Sequence, residues 1–214
     1  TVFGARLPSL IDLGNPFNAR SIRLPGDDPE DRSGSAIASG DINGDGFDDV
    51  ILGSPAALNG RGITHVIFGS SNIASRDSID LSVPASGILR IVGKSPLDWS
   101  GYAVASGNLN GDEYDDIIIG AYRADPGGRI NAGEVYVIFG SSTLPARGTI
   151  DLSGSPSGVL RIYGHRPEDG FGFSLAAGRV NGDSCEDLII GAYRGDPLLR
   201  GDAGEVCIVF GFSS

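Results

Sequence analysis

A nine-residue acidic segment running into a short β-branched stretch occurs three times in this chain, and it leaves few ways to fold. The copies read Asp41-Ile-Asn43-Gly-Asp45-Gly-Phe47-Asp-Asp49, Asn108-Leu-Asn110-Gly-Asp112-Glu-Tyr114-Asp-Asp116 and Arg179-Val-Asn181-Gly-Asp183-Ser-Cys185-Glu-Asp187. Each continues as Asp-Val-Ile-Leu-Gly, Asp-Ile-Ile-Ile-Gly or Asp-Leu-Ile-Ile-Gly. Such runs, halted by glycine, read as buried strands. An EF-hand would need a bidentate Glu at position 12 and a helix after it. Position 12 here is Leu52, Ile119 and Ile190. Each acidic segment is therefore a loop joining two strands, its last carboxylate standing at the start of the second.

Other landmarks keep the same period. Phe-Gly recurs at Phe68, Phe139 and Phe210, 71 residues apart each time, and Ile-Asp-Leu recurs at Ile11, Ile79 and Ile150. In the first repeat four short strands are expected at 35–40 (A), 49–53 (B), 63–69 (C) and 87–93 (D). Four strands per unit with a period above about 40 residues point to propeller blades rather than a solenoid. The fold class is all-β, with three blades of four antiparallel strands in one segment, 1–214. The repeats fall at approximately 5–74, 75–145 and 146–214.

In these features the chain resembles the FG-GAP repeats of integrin α-subunit β-propellers, which also occur in bacterial surface and secreted proteins. The matching residues are Phe171-Gly172 before the inner strand (Ser-Gly at 33–34 and 100–101), the Asp/Asn loops, and Gly53-Ser-Pro55, Gly120-Ala-Tyr122 and Gly191-Ala-Tyr193 at the "GAP" position. The resemblance covers nearly the whole chain. It departs in repeat number, since such propellers usually have seven blades.

The acidic loops carry the clearest chemistry. Oxygen side chains at positions 1, 3, 5 and 9, with a backbone carbonyl at 7, suit Ca²⁺, which takes six to eight oxygen ligands. Two Ca²⁺ per chain are expected: one at Asp41, Asn43, Asp45, Asp49 and the Phe47 carbonyl, the other at Asn108, Asn110, Asp112, Asp116 and the Tyr114 carbonyl. The second loop has fewer carboxylates and should bind more weakly. In the third loop Arg179 stands where the first ligand belongs, so that loop is expected empty, its guanidinium pairing with Asp183 and Asp187.

Antiparallel order puts the A–B loops at one end of the blades and the B–C and D–A loops at the other. By the resemblance, that second face binds the partner, a protein or a glycan. Trp99, Tyr122, Tyr193 and Arg194 are the candidate contacts there, because aromatic and Arg side chains dominate contact energies. Two Arg-Gly-Asp tripeptides lie at 194–196 and 200–202, where the second repeat has Arg123-Ala-Asp125. Their Arg and Asp read as turn architecture. The Pro-x-Asp turns at Asp31, Asp98 and Asp169 read as caps, and Cys185 and Cys207 replace ordinary hydrophobes, which favours packing.

A net charge of −11 argues against nucleic acid, and no apolar run reaches membrane-spanning length. No nucleophile elbow, phosphate loop or zinc spacing appears. The expected function is that of a non-catalytic extracellular binding or adhesion module stabilised by Ca²⁺. A lectin-like propeller and the non-catalytic part of a larger secreted hydrolase are the alternatives. Residues 1–4 look like the tail of a C strand and 20–26 like an unpaired D strand, while the third blade lacks its own. Two copies closing a six-bladed ring, or a longer seven-bladed propeller, would each account for this.

Overall fold

The computed structural model of this chain describes residues 21–83 and 87–212. The first blade contains β1 (Ala36–Gly40), β2 (Asp49–Ser54), β3 (Ile63–Ile67) and β4 (Ile88–Val92). The second contains β5 (Ala103–Gly107), β6 (Asp116–Ala121) and β7 (Glu134–Ile138), then, after a short β8 (Thr149–Asp151), its outer strand β9 (Val159–Tyr163). The third has β10 (Phe171–Gly178), β11 (Asp187–Ala192) and β12 (Glu205–Val209). Strands within each blade pair antiparallel to their neighbours, and β12 has no outer strand beside it among the described residues. The blade count, the strand order and the short third blade are as the repeat pattern predicts.

One strand was not anticipated. β8 leaves the second blade and pairs parallel with β4, matching Arg90 to Thr149, Ile91 to Ile150 and Val92 to Asp151. The recurring Ile-Asp-Leu is thus a hook onto the preceding blade's outer strand. Ile150 and Leu152 are buried in the core shared by blades 1 and 2, and Asp151 turns back to accept the Ser153 N–H at 2.9 Å. Alternation explains the motif: two apolar side chains enter the core while the acid between them caps the turn.

The same hook corrects the expectation of an unpaired segment near residue 20. Arg23 bridges Ser78 in parallel, the Ile79 N–H donates to the Arg23 carbonyl at 2.9 Å, and that of Leu81 to Pro25 at 3.1 Å. Residues 21–25 therefore stand where a preceding blade's outer strand would be, held by the Ile79-Asp-Leu81 hook. The expected strand at 1–4, the Ile11 motif and Arg20 lie outside the described residues.

Cores form between blades rather than within one. Ile51, Val66 and Leu89 of the first blade meet Ile117, Ile119 and Tyr136 of the second. On the second blade's other face Ile118, Val135 and Val137 meet Phe171, Leu188 and Ile190. Close approach explains two of the recurring glycines. A Cβ on Gly53 would overlap the Gly101 carbonyl oxygen, and one on Gly120 that of Gly172. The glycine of the "GAP" position thus makes room for the glycine that opens the next blade's inner strand.

Candidate functional site

Each acidic loop folds around its own oxygens. Asp41 accepts the N–H groups of Gly44 (2.8 Å), Asp45 (3.1 Å) and Gly46 (2.9 Å). Asn43 Oδ1 accepts from the Asp45 N–H and Asp45 Oδ1 from that of Phe47. In the second loop Asn108, Asn110 and Asp112 accept from Gly111, Asp112 and Tyr114 in the same way. Alternating Asx side chains curl the backbone, and Gly44 and Gly46, with φ of +72° and +84°, allow the bend.

The ninth position does more than sequence reasoning assigned to it. Asp49 is fully buried and ties the loop's Ile42 N–H (3.1 Å) to the Gly69 N–H at the end of the C strand (2.7 Å). Asp116 does this for Leu109 and Gly140, both at 3.0 Å, and Asp187 for Val180, Asn181 and Gly211. The same ties recur in all three loops, so this aspartate fastens each acidic loop to the end of the C strand through its own hydrogen bonds. Arg179 does not pair as expected: the ion pairs among the described residues do not include it, and backbone N–H groups take up the Asp187 oxygens.

The eighth position, passed over in the sequence, joins the loops across blades. Asp115 accepts the Asp41 N–H at 3.0 Å and Glu186 that of Asn108 at 3.1 Å. The recurrence of an acid at Asp48, Asp115 and Glu186 was the available signal. Position 7 packs across the junction too: a Cβ on Gly44 would press against the Tyr114 ring. Cys185, third in that series, is buried, in keeping with the packing role expected of it, and both cysteines are free thiols.

The donor set suits a hard cation. Burial pushes Asp49 up to about 6 against the pull of its two N–H donors, and the charges of Asp45 and Asp41 push the same way. Asp116 is likewise raised to about 6 by burial, with Asp112 and Asp115 adding to it. Carboxylates close enough to raise one another are what a bound cation relieves. Even so, no three His, Cys, Asp or Glu side chains among the described residues already converge as a cage, so much of the coordination would have to come from Asn and backbone oxygens.

At the opposite end, rings from the link between blades 1 and 2 and from blades 2 and 3 interlock. Trp99, Tyr102, Tyr122, Phe173 and Tyr193 form a continuous run, with centroids 4.5 Å apart for Tyr102–Tyr122 and 4.3 Å for Phe173–Tyr193. Arg32 and Arg123 flank the Trp99 ring at 5.4 and 5.1 Å, a cation–π geometry. Tyr193 is 48% exposed and Trp99 half-buried, whereas Tyr122, expected as a contact, is only 8% exposed and supports the others from below. Tyr102 and Phe173 complete the run and were not singled out in the sequence. Arg194 is held by Asp202 (3.2 Å) and Glu168 (3.8 Å), and the Asp202 N–H donates to Asp196 at 2.6 Å. The two Arg-Gly-Asp tripeptides therefore brace each other, as their turn reading implied.

The same end carries nearly all the unusual backbone. Of the described non-glycine residues with positive φ, all but Ser155 lie in its loops, including Arg32, Leu97, Trp99 and Glu168. That conformation is uncommon for side-chain-bearing residues and concentrates at functional surfaces. The turns are pinned: the carbonyls of Asp31, Asp98 and Asp169 accept the N–H of Ala56, Arg123 and Arg194. One further polar cavity, of about 640 Å³, lies beside blade 1, lined by Asp27, His65, Ser82 and Arg90 among others. Burial pushes His65 down to about 4, keeping it neutral. Asp27 lies 3.6 Å from it, and neither ring nitrogen has a hydrogen-bond partner among the described residues, which is not the arrangement of a catalytic triad.

The repeat pattern itself decides the family: the FG-GAP repeat matches at residues 33–67, 100–138 and 171–209, one match per blade. This chain belongs to the FG-GAP repeat family. It is 35% identical over 190 residues to phosphatidylinositol-glycan-specific phospholipase D of Bos taurus, covering 87% of this chain and 21% of that protein. It is 32% identical to integrin alpha-IIb of Mus musculus, over 80% of this chain and 16% of that protein. With integrin alpha-V of Gallus gallus the identity is 25%, over 79% and 22%. This FG-GAP segment thus spans about a fifth of the length of these relatives. No helix among its described residues is long and apolar enough to cross a membrane.

Proposed function

We propose that this segment belongs to a calcium-stabilised, integrin-α-like propeller that acts outside the cell as a non-catalytic adhesion module. The carrying observation is the aromatic run from Trp99 to Tyr193, flanked by arginines and set on pinned, strained loops. Rigid aromatic surface binds at low entropic cost, and a protein is the ligand favoured. The test is binding of the purified chain to immobilised extracellular-matrix proteins and to a glycan array. Trp99→Ala and Tyr193→Ala are each expected to weaken matrix binding by about tenfold or more, as loss of a central aromatic contact does. Unchanged binding by both variants would refute this face. Binding to glycans alone would select the lectin reading, for which the half-exposed Tyr193 is the specific support. The likeness to a phospholipase D supports another reading, a non-catalytic part of a larger secreted hydrolase.

Calcium has a structural task in this reading. It would be held by Asp41, Asn43, Asp45, Asp49 and the Phe47 carbonyl, and by Asn108, Asn110, Asp112, Asp116 and the Tyr114 carbonyl, where it would relieve the mutual repulsion of the carboxylates. Millimolar Ca²⁺ outside the cell fills even weak sites. Asp45→Ala is expected to lower the melting temperature by about 5–10 °C in millimolar Ca²⁺ and by only a degree or two in chelator, because an ion at about 100 times its Kd contributes about 2.7 kcal/mol. Equal losses in both conditions, measured by differential scanning calorimetry, would remove calcium from the proposal.

A further inference from the structure

Asparagine precedes glycine four times in this chain, at Asn43-Gly44, Asn59-Gly60, Asn110-Gly111 and Asn181-Gly182. Such a pair can react with itself, because attack of the glycine nitrogen on the asparagine side-chain carbon closes a five-membered ring. Glycine has no Cβ to crowd that approach. An N–H already donating to an acceptor is held back, since its bond must first be broken.

Three of the four nitrogens are engaged in this way. The Gly44 N–H donates to Asp41 Oδ1 and that of Gly111 to Asn108 Oδ1, both at 2.8 Å, while that of Gly60 donates to the Ala56 carbonyl at 3.0 Å. In the third acidic loop the first position is Arg179, and a guanidinium has no acceptor to offer. Among the described residues the Gly182 N–H has no acceptor, and Asn181 and Gly182 are both exposed to water.

The group under attack is held alike in all three acidic loops. Asn181 Oδ1 accepts the Asp183 N–H at 2.9 Å, and its Nδ2 donates to Asp183 Oδ2 at 2.6 Å. Asn43 and Asn110 make the same two bonds to Asp45 and Asp112. A donor on that oxygen stabilises the charge that develops there as the nitrogen attacks. The loops therefore match in the carbonyl and differ in the nucleophile.

We propose that Asn181 is a site of spontaneous deamidation, set apart from the other three Asn-Gly pairs by its free Gly182 N–H. The Gly182 nitrogen bonds to Asn181 Cγ and gives up its proton; the Cγ–Nδ2 bond breaks and ammonia leaves, closing a succinimide. Water then opens either imide C–N bond, leaving aspartate or isoaspartate at 181. Either product loses the amide donor that faces Asp183 and adds a negative charge to an acidic loop, where like charges repel.

The test is incubation of the purified, folded chain in chelator at mildly alkaline pH, followed by mass spectrometry of its tryptic peptides. Asn181 falls in the peptide 180–194, apart from the other three pairs. It is expected to deamidate about tenfold or more faster than Asn43, Asn59 or Asn110, whose glycines must each first break a hydrogen bond. In denaturant the four rates should converge, since no N–H is held and an aliphatic residue precedes each asparagine. Arg179→Asp supplies the missing acceptor and is expected to slow Asn181 to the rate of Asn43, whereas Arg179→Ala leaves it fast. Asp41→Ala should free the Gly44 N–H and speed Asn43 instead. Circular dichroism confirms that each variant is folded. Equal rates in the folded chain, or a lead of Asn181 that survives in denaturant, overturns the proposal. So does a folded Arg179→Asp variant that deamidates as fast as the unaltered chain, or a folded Asp41→Ala variant in which Asn43 stays slow.

Discussion

Gly120→Ala is expected to destabilise the protein by about 3 kcal/mol or more, the upper range for forcing atoms into a filled space. The glycine lies in β6, where a methyl group would overlap the Gly172 carbonyl oxygen. Backbone cannot swing aside as a side chain can, so blades 2 and 3 would have to separate along the seam where Ile118 and Leu188 pack. The control is Gly178→Ala in β10, where nothing lies within 4 Å of the added carbon. There a stability change of under about 0.5 kcal/mol is expected, typical of a surface site. Urea unfolding of both variants decides it: similar losses would mean that the close approach of the two glycines is not what places glycine there.

Asp116→Ala is expected to be comparably severe. The side chain is fully buried, and both oxygens are engaged, by Leu109 and Gly140. Removing it strands two backbone N–H groups away from water, at about 1–3 kcal/mol each, so a loss of about 2–6 kcal/mol follows. The informative comparison is with Asp45→Ala. The Asp116 loss should persist in chelator, because the hydrogen bonds need no ion, whereas the Asp45 loss should largely vanish. Asp187→Ala should also lose stability without calcium dependence, its carboxylate making the same ties in a loop where Arg179 occupies the first position. If Asp116→Ala proved harmless in chelator, the ninth aspartate would be a metal ligand and nothing more.

These variants separate two roles that the sequence folds into one motif. The ninth aspartate recurs three times out of three, whereas position 1 reads Asp, Asn and Arg. A ligand set that degrades at one position and persists at another carries two functions. Hydrogen bonds to Ile42 and Gly69, which lie 7 and 20 residues from Asp49 on either side of it, identify the second function.

The chain's sequence by itself determined the blades. Local rules suffice there: β-branched runs ended by glycine make strands, Asx-rich segments make tight loops, and a fixed period repeats the unit. The all-β fold, the strand order, the end at which each loop lies and the short third blade could all be read that way. The meaning of Ile-Asp-Leu was decided only by tertiary structure, because a parallel hook pairs residues such as Ile91 and Ile150 that no local pattern connects. The candidate contacts divided for the same reason. Trp99, Tyr122 and Tyr193 were legible as aromatics on one face, but their exposure depends on how three blades pack, which buries Tyr122 and recruits Tyr102 and Phe173. Arg194 and Arg179 show the limit most plainly. A guanidinium pairs with whichever carboxylate the fold brings within reach, and that carboxylate is Asp202 or Glu168 for the first, while for the second backbone N–H groups had already claimed the oxygens of Asp187.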